Sequence, residues 1–252
     1  MSLALAIGFG ALGAFLASFL MLVVERVYTG QSWRSGHSRC NSCNTVLTAQ
    51  DLIPVLSWLA SLGRCRRCGA RLPATYIFVE VLLGGLFALA YLTFGLDLTL
   101  FVFLFTLCTL TFIVLYDLRH MIVPLPGSLL LLGGSLGMAL LRPGGSSEFG
   151  FSLLVAGGIA LFIFLLHALS RGRAMGLGDA PVAFSLALLV GPALAVSGLL
   201  FSFWIGALFG IGVLLLRRGG PTMGIEIPFV PFLAAGFLLA FFTQWIPFPF
   251  LS

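Results

Sequence analysis

Gly176-Leu177-Gly178-Asp179, followed by the apolar run Ala180 to Val190 and then by Gly191-Pro192, is the stretch on which the reading of the fold turns. The run is too short for a simple membrane span, which needs about 20 apolar residues. Gly191-Pro192 separates it from the next apolar run, because proline disrupts a continuing helix. It therefore counts as a short or tilted helix of its own. Asp179 stands at its entrance, and an ionisable group at a membrane segment costs several kcal/mol unless solvated or paired, so it reads as functional by default.

Working outward, seven further runs are long enough to span: Leu3 to Val24, Tyr76 to Phe94, Leu98 to Tyr116, Val123 to Leu141, Phe151 to Leu169, Ala193 to Leu216 and Ile227 to Ile246. The 252 residues are 60% hydrophobic and 8% charged, with mean hydropathy +1.15. A soluble domain carries roughly 25% charge. The composition predicts an all-α polytopic membrane protein with about eight transmembrane helices. The first run lacks the basic start of a secretory signal and is read as a retained first helix.

Arginine placement tests the count. All thirteen basic residues are arginine. With eight crossings, Arg26, Arg34, Arg39, Arg64, Arg66, Arg67, Arg71, Arg119, Arg171, Arg173, Arg217 and Arg218 fall on one face and Arg142 alone on the other. Seven crossings would move Arg217 and Arg218 and weaken the bias. By the positive-inside rule the arginine-rich face is cytoplasmic, both termini are outside, and Asp117 and Asp179 both lie at cytoplasmic helix ends. Topology thus accounts for the net charge of +5, and no nucleic-acid partner is inferred.

The long polar segment from Glu25 to Thr75 contains Cys40-Asn41-Ser42-Cys43 and, after 21 intervening residues, Cys65-Arg66-Arg67-Cys68-Gly69. Two C-x-x-C pairs at this separation point to a zinc-ribbon-like loop, each turn supplying two thiolates to a closed tetrahedron of Cys40, Cys43, Cys65 and Cys68. Two disulfides are the alternative, which a cytoplasmic loop disfavours. Arg39, Arg64, Arg66 and Arg67 would offset the double negative charge of a four-thiolate zinc centre. Cys108, mid-helix, reads as a small core residue. Ile53 to Leu59 is expected to pack the loop on the membrane face, with Trp58 at the interface.

Asp117 follows the apolar run ending at Tyr116 and precedes Leu118-Arg119-His120. Taken singly, either aspartate could simply mark a helix leaving the bilayer; taken together they suggest one site. Two carboxyls within a few Å cannot both ionise easily, so one carries a proton while the other takes a proton from water. Glu80, inside the second span, is open between serving that site and pairing with a loop arginine or another helix. His37 and His120, placed in polar loops, and His167, near a helix end, read as surface or satisfied histidines. Arg142 to Gly150 and Arg217 to Gly224 read as loops, and Trp245, Pro247 and Pro249 as the end of the last helix.

Taken in order, these motifs resemble the type IV prepilin peptidases, membrane aspartic peptidases of the G-x-G-D type from pilus, type II secretion and competence systems. The likeness rests on Ser18-Phe19-Leu20, the four cysteines, Ile53-Pro54-Val55-Leu56-Ser57-Trp58-Leu59, Gly63-Arg64-Cys65-Arg66 and Val79-Glu80. It continues through Tyr116-Asp117-Leu118-Arg119-His120, Gly176-Leu177-Gly178-Asp179 and Ile227-Pro228-Phe229-Val230-Pro231-Phe232. The resemblance implies that Asp117 and Asp179 are the catalytic aspartates, that Cys40, Cys43, Cys65 and Cys68 hold a structural zinc, and that the substrates are prepilins or pseudopilins. Their short leader, usually ending in glycine, is removed on the cytoplasmic side just before a hydrophobic helix. For many members it also implies methylation of the new N-terminus with S-adenosylmethionine. On this reading residues 1–24 are the first transmembrane helix, 25–75 the cytoplasmic zinc-binding loop, and 76–252 the membrane-embedded peptidase domain, in the bacterial inner membrane with lipid around it. The chain departs from the family pattern at Met21, Asn41, Pro181 and Val230, where the family has asparagine, proline, lysine and glycine.

Two rival readings come from other classes. A membrane transporter or assembly scaffold would use the acids on an ion path and the cysteine loop as a docking module. An intramembrane aspartic protease with unrelated substrates would share the G-x-G-D logic but would not be expected to carry the tetracysteine loop.

Overall fold

The computed structural model describes residues 2–32, 38–40, 42–143, 145–173, 175–216 and 227–246, with the backbone alone at 145 and 146. Arg34, His37, Asn41, the loop with Arg217 and Arg218, Pro247 and Pro249 lie outside the described residues. The ordered elements among those described are helices, with one 3-10 turn and two isolated β-bridges. Among the described residues, five helices are long and apolar enough to cross a membrane and three shorter ones are apolar. The chain is a multi-pass helical membrane protein, and every apolar run read from the sequence has its helix.

Two compact units divide at residues 112 and 113. The first holds α1 (Leu3–Tyr28), α2 (Leu56–Ala60), α3 (Thr75–Phe94) and the first part of α4 (Leu98–His120). Helix α1 starts where the Ser2 hydroxyl accepts the Leu5 N–H at 3.4 Å. It runs four residues past Val24, because Glu25 and Arg26 are good helix formers once the backbone is already helical. Against it packs α3 at a close approach of backbones. A Cβ added at Gly84 would lie 2.8 Å from the Gly10 carbonyl oxygen, and one at Gly13 would lie 2.8 Å from that of Leu83. Small residues permit this spacing, which lets dispersion hold helices together where lipid supplies no hydrophobic force.

Glu80, buried on α3, pairs with neither an arginine nor a second acid among the described residues. Its Oε2 accepts the Val55 N–H at 2.7 Å, and the Ser18 hydroxyl bonds to the same carboxyl. Val55 has φ 61, a left-handed conformation rare for a β-branched residue. The Glu80 bond therefore pins the start of α2 to α1 and α3. Trp58 packs back onto its own loop. Its ring lies over Gly63, where a Cβ would come within 2.8 Å, while Leu56, Leu59 and Leu62 are the residues left exposed.

In the second unit, α5 (Leu125–Leu141), α6 (Gly145–Ser170), α7 (Asp179–Val190), α8 (Pro192–Leu216) and α9 (Val230–Thr243) follow the end of α4. Helix α6 begins at Gly145, so most of the expected loop from Arg142 to Gly150 is helical. Glu148 lies in its first turn, where the helix dipole favours a carboxylate. Helix α9 is shorter than the run Ile227 to Ile246: Pro231 sits in its first turn and Gln244, at φ 53, turns the chain left-handed at its end. The small residues Gly198, Ser202 and Gly236 join α8 to α9, with the Ser202 hydroxyl donating to the Gly198 carbonyl at 2.7 Å.

The centre of this unit is α7. Its 12 residues rise about 18 Å, well short of the ~30 Å hydrocarbon core. It is enclosed by α5, α6, α8 and α9, and ten of its residues are buried. A helix with ten of its 12 residues buried needs no polar side, which is why the run Ala180 to Val190 shows no amphipathic period. Arg142 explains itself here. Its Nη2 donates to the carbonyls of Leu188, at 3.0 Å, and Leu189, at the C-terminal end of α7. A cation there satisfies orphan carbonyls and complements the dipole.

Candidate functional site

Asp117 lies in the last turn of α4, three residues before its end, and Asp179 is the first residue of α7. Each is 5% exposed. What brings them together is the contact between the segment after Asp117 and the turn before Asp179. Met121, at φ 53, donates its N–H to the Asp117 carbonyl at 2.8 Å and turns the chain. Val123 then packs on Gly178, where a Cβ would fall 2.7 Å from the Val123 Cβ. Glycine at 178 is thus a requirement of close approach. The two carboxyls lie within Coulombic range of one another.

The turn around Asp179 closes on itself. Gly176 donates its N–H to Asp179 Oδ2 at 3.0 Å, and Asp179 donates its own N–H back to the Gly176 carbonyl at 3.2 Å. On the other side, the Val230 N–H at the start of α9 bonds toward the Asp117 carboxyl. Two helix N-termini, of α7 and α9, therefore turn their positive ends to the pair. Asp117 Oδ2 is buried without a hydrogen-bond partner among the described residues. A buried polar atom without a partner is uncommon and has capacity for a water or a substrate group. An open apolar groove of about 430 Å³ lies between α5, α6 and α7, its walls including Leu125, Leu129, Phe164, Ala180, Pro181 and Phe184.

Sequence reasoning passed over two contributors. Val230 enters through its backbone N–H, which no side-chain pattern advertises. His167, satisfied as expected, has its partner in the loop leading to Asp179: its Nδ1 bonds the Met175 carbonyl at 2.8 Å. His120 ends α4 instead of sitting in a loop, its ring edge-on to Tyr116 with centroids 4.8 Å apart.

In the first unit, Cys40, Cys43, Cys65 and Cys68 form one cluster with all four sulfurs within 4.8 Å of one another. The two C-x-x-C turns have the same construction. Cys40 donates its N–H to Thr45 and its carbonyl accepts from Asn44; Cys65 donates to Ala70 and accepts from Gly69. Asn44 and Gly69 both have positive φ. The bridges Arg39 to Val46 and Arg64 to Arg71 close the bases of the turns. The Thr45 hydroxyl and backbone N–H draw the Cys43 thiol down to about 6. The backbone N–H groups of Cys68 and Arg67 lower that of Cys65. Donors aimed at sulfur stabilise thiolate, the form that binds metal. A zinc with four bonds of ~2.3 Å spaces its sulfurs about 3.8 Å apart; Cys40 and Cys68 stand at 3.9 Å. The cluster could hold a metal ion, and its donor set fits one. Arg66 ties the second turn to Asp51 at 3.5 Å.

A multi-pass helical membrane protein with two buried carboxyls meeting at helix ends, and a four-thiol turn pair between its first apolar helices, is the class of protein these features define. Comparison with known proteins narrows the class. Residues 11–94 match the family model described as bacterial peptidase A24 N-terminal domain, and residues 101–211 match that of the type IV leader peptidase family. A prepilin leader peptidase/N-methyltransferase of Bacillus subtilis (strain 168) is 31% identical over 229 residues, covering 91% of this chain and 90% of that protein. Proteins of the same description from Myxococcus xanthus (strain DK1622) and Aeromonas salmonicida (strain A449) are 35% and 36% identical. They match over 83% and 82% of this chain and 64% and 73% of their own lengths. The chain belongs to the type IV leader peptidase family. No solved structure matches it significantly.

Proposed function

We propose that the chain is an aspartic endopeptidase that removes the leader of type IV prepilins or pseudopilins, with Asp117 and Asp179 as its catalytic pair. The observation that carries the reading is the meeting of these two acids, each almost fully buried, within Coulombic range in one compact unit. The pair shares one proton. The ionised carboxylate takes a proton from a water, whose oxygen attacks the scissile carbonyl carbon; the protonated carboxyl donates to the carbonyl oxygen. The tetrahedral adduct then collapses: one of its hydroxyls returns a proton to the pair, the C–N bond breaks, and the departing amine takes the proton that the carboxylate drew from the water. No covalent enzyme intermediate is required.

The remaining roles follow from the same reading. Cys40, Cys43, Cys65 and Cys68 hold a structural zinc, which supplies a closed cross-link between two turns and no open position for substrate. The arginine-rich face is cytoplasmic and the protein sits in the bacterial inner membrane among lipid, so cleavage occurs at the cytoplasmic edge. Residues 1–24 form the first membrane helix, 25–75 the zinc loop and 76–252 the peptidase domain. The relatives are described as both leader peptidase and N-methyltransferase, which extends the proposal to methylation of the new N-terminus, with S-adenosylmethionine as donor.

Purified protein incubated with a prepilin-type substrate tests the proposal. The expected product is the mature chain cut just before its apolar helix, identified by mass spectrometry. An intact substrate after many equivalents of time and enzyme would refute it.

A further inference from the structure

The Met175-Gly176 peptide is held at both ends. Its carbonyl accepts a hydrogen bond from His167 Nδ1 at 2.8 Å, and its N–H donates to Asp179 Oδ2 at 3.0 Å. A carbonyl can only accept, so Nδ1 carries the hydrogen and the tautomer is settled by the partner. The peptide group is planar and rigid, so the imidazole on α6 and the carboxyl on α7 are joined through one stiff unit. Hydrogen bonds in series polarise one another, so a donor on the carbonyl makes the N–H at the other end a better donor.

The surroundings reinforce this link. Met175 is 6% exposed. Gly172, at φ 77, packs on the ring: a Cβ there would lie 3.4 Å from His167 Cε1. The Gly172 N–H also donates to the His167 carbonyl at 2.9 Å. Gly172 and Met175 thus both meet the histidine between α6 and the acid. The imidazole is itself within Coulombic range of Asp179.

The structure assigns His167 as a positioning residue for Asp179: through the Met175-Gly176 peptide it fixes the orientation of the Asp179 carboxyl in the acid pair. This assignment rests on the peptidase reading for its consequence in catalysis, but the link itself is a property of the folded chain. Asparagine at 167 presents an N–H near the place of Nδ1 and preserves the link; leucine removes it.

The test has two readouts. Methionine labelled with ¹³C at the carbonyl and glycine labelled with ¹⁵N give signals from two peptide bonds only, Met175-Gly176 and Met223-Gly224, and Met223→Leu separates them. In detergent-solubilised full chain, His167→Leu is expected to move the Gly176 amide resonance upfield, toward its position in Asp179→Asn, and His167→Asn to leave it near wild type. With a prepilin-type substrate, His167→Leu is expected to lower kcat roughly tenfold or more at little change in KM, since a misplaced catalytic group loses transition-state stabilisation; His167→Asn recovers most of it. Should His167→Leu not fold, His167→Gln, whose donor falls at the place of Nε2, takes its place with the same expectation. A Gly176 resonance that ignores the leucine variant overturns the link, and a shifted resonance with unaltered kcat overturns the positioning role. A wild type that cleaves nothing refutes the peptidase reading instead, and the resonance still decides the link.

Discussion

Gly178→Ala is the sharpest perturbation of the acid pair that leaves both acids in place. The new Cβ would lie 2.7 Å from the Val123 Cβ and 2.8 Å from its Cγ2. Carbon atoms pack at about 3.5–4.0 Å, so one side must retreat by roughly 1 Å. The side that yields is either the turn before Asp179 or the segment after Asp117, and both carry an acid. Overpacking of this kind costs typically ~1–3 kcal/mol of stability, and a 1 Å displacement at a reacting centre costs about 100-fold in rate. Gly178→Ala should therefore lose about two orders of magnitude in kcat/KM on a prepilin-type substrate while unfolding only slightly more easily. Val123→Gly removes every atom in the way and should restore most of the loss in the double variant, a coupling expected of residues in contact. Full activity in Gly178→Ala, or no recovery in the double variant when Val123→Gly alone is active, would refute the reasoning.

Three other outcomes are expected. Metal analysis should find about one zinc per chain, and Cys65→Ser should lose it with a fall in thermal stability, because a structural zinc contributes to folding on the order of 10 kcal/mol; cysteines found disulfide-bonded in freshly isolated protein would contradict this. Arg142→Met strips the carbonyls of Leu188 and Leu189 of their cap and should cost about 2 kcal/mol, read as a lower unfolding midpoint in detergent; an unmoved midpoint would show that α7 ends without its help. A reporter fused after Arg173 should report from the cytoplasm and one at Gly145 from outside, and the reverse pattern would overturn the topology.

How far the sequence could be read depended on whether the signal was local. Apolar runs predict apolar helices because a span must satisfy its own backbone, and each run found its helix. The short run after Asp179 was recognised through Gly191-Pro192, two residues with a local meaning. Cysteine spacing likewise specifies paired turns, because metal ligands from one turn must be neighbours in sequence. Contacts between distant segments left no such trace. Nothing in Val55 marks it as the partner of Glu80, nor in Met175 as that of His167, since any backbone N–H or carbonyl can fill either place. Arg142 looked like a charge in a loop, and only the end of α7 explains it. The last helix was read too long because Gln244 terminates it by a left-handed turn, a conformation a glutamine does not announce.

The central claim is that Asp117 and Asp179 act as one proteolytic pair, and cleavage by Asp117→Asn and Asp179→Asn tests it most directly. An amide keeps the shape of the carboxyl but cannot exchange the proton. Each variant should cut a prepilin-type substrate at a rate reduced by at least about 100-fold, while metal content and unfolding midpoint stay at wild-type values. Cleavage by either variant at close to the wild-type rate would contradict the account.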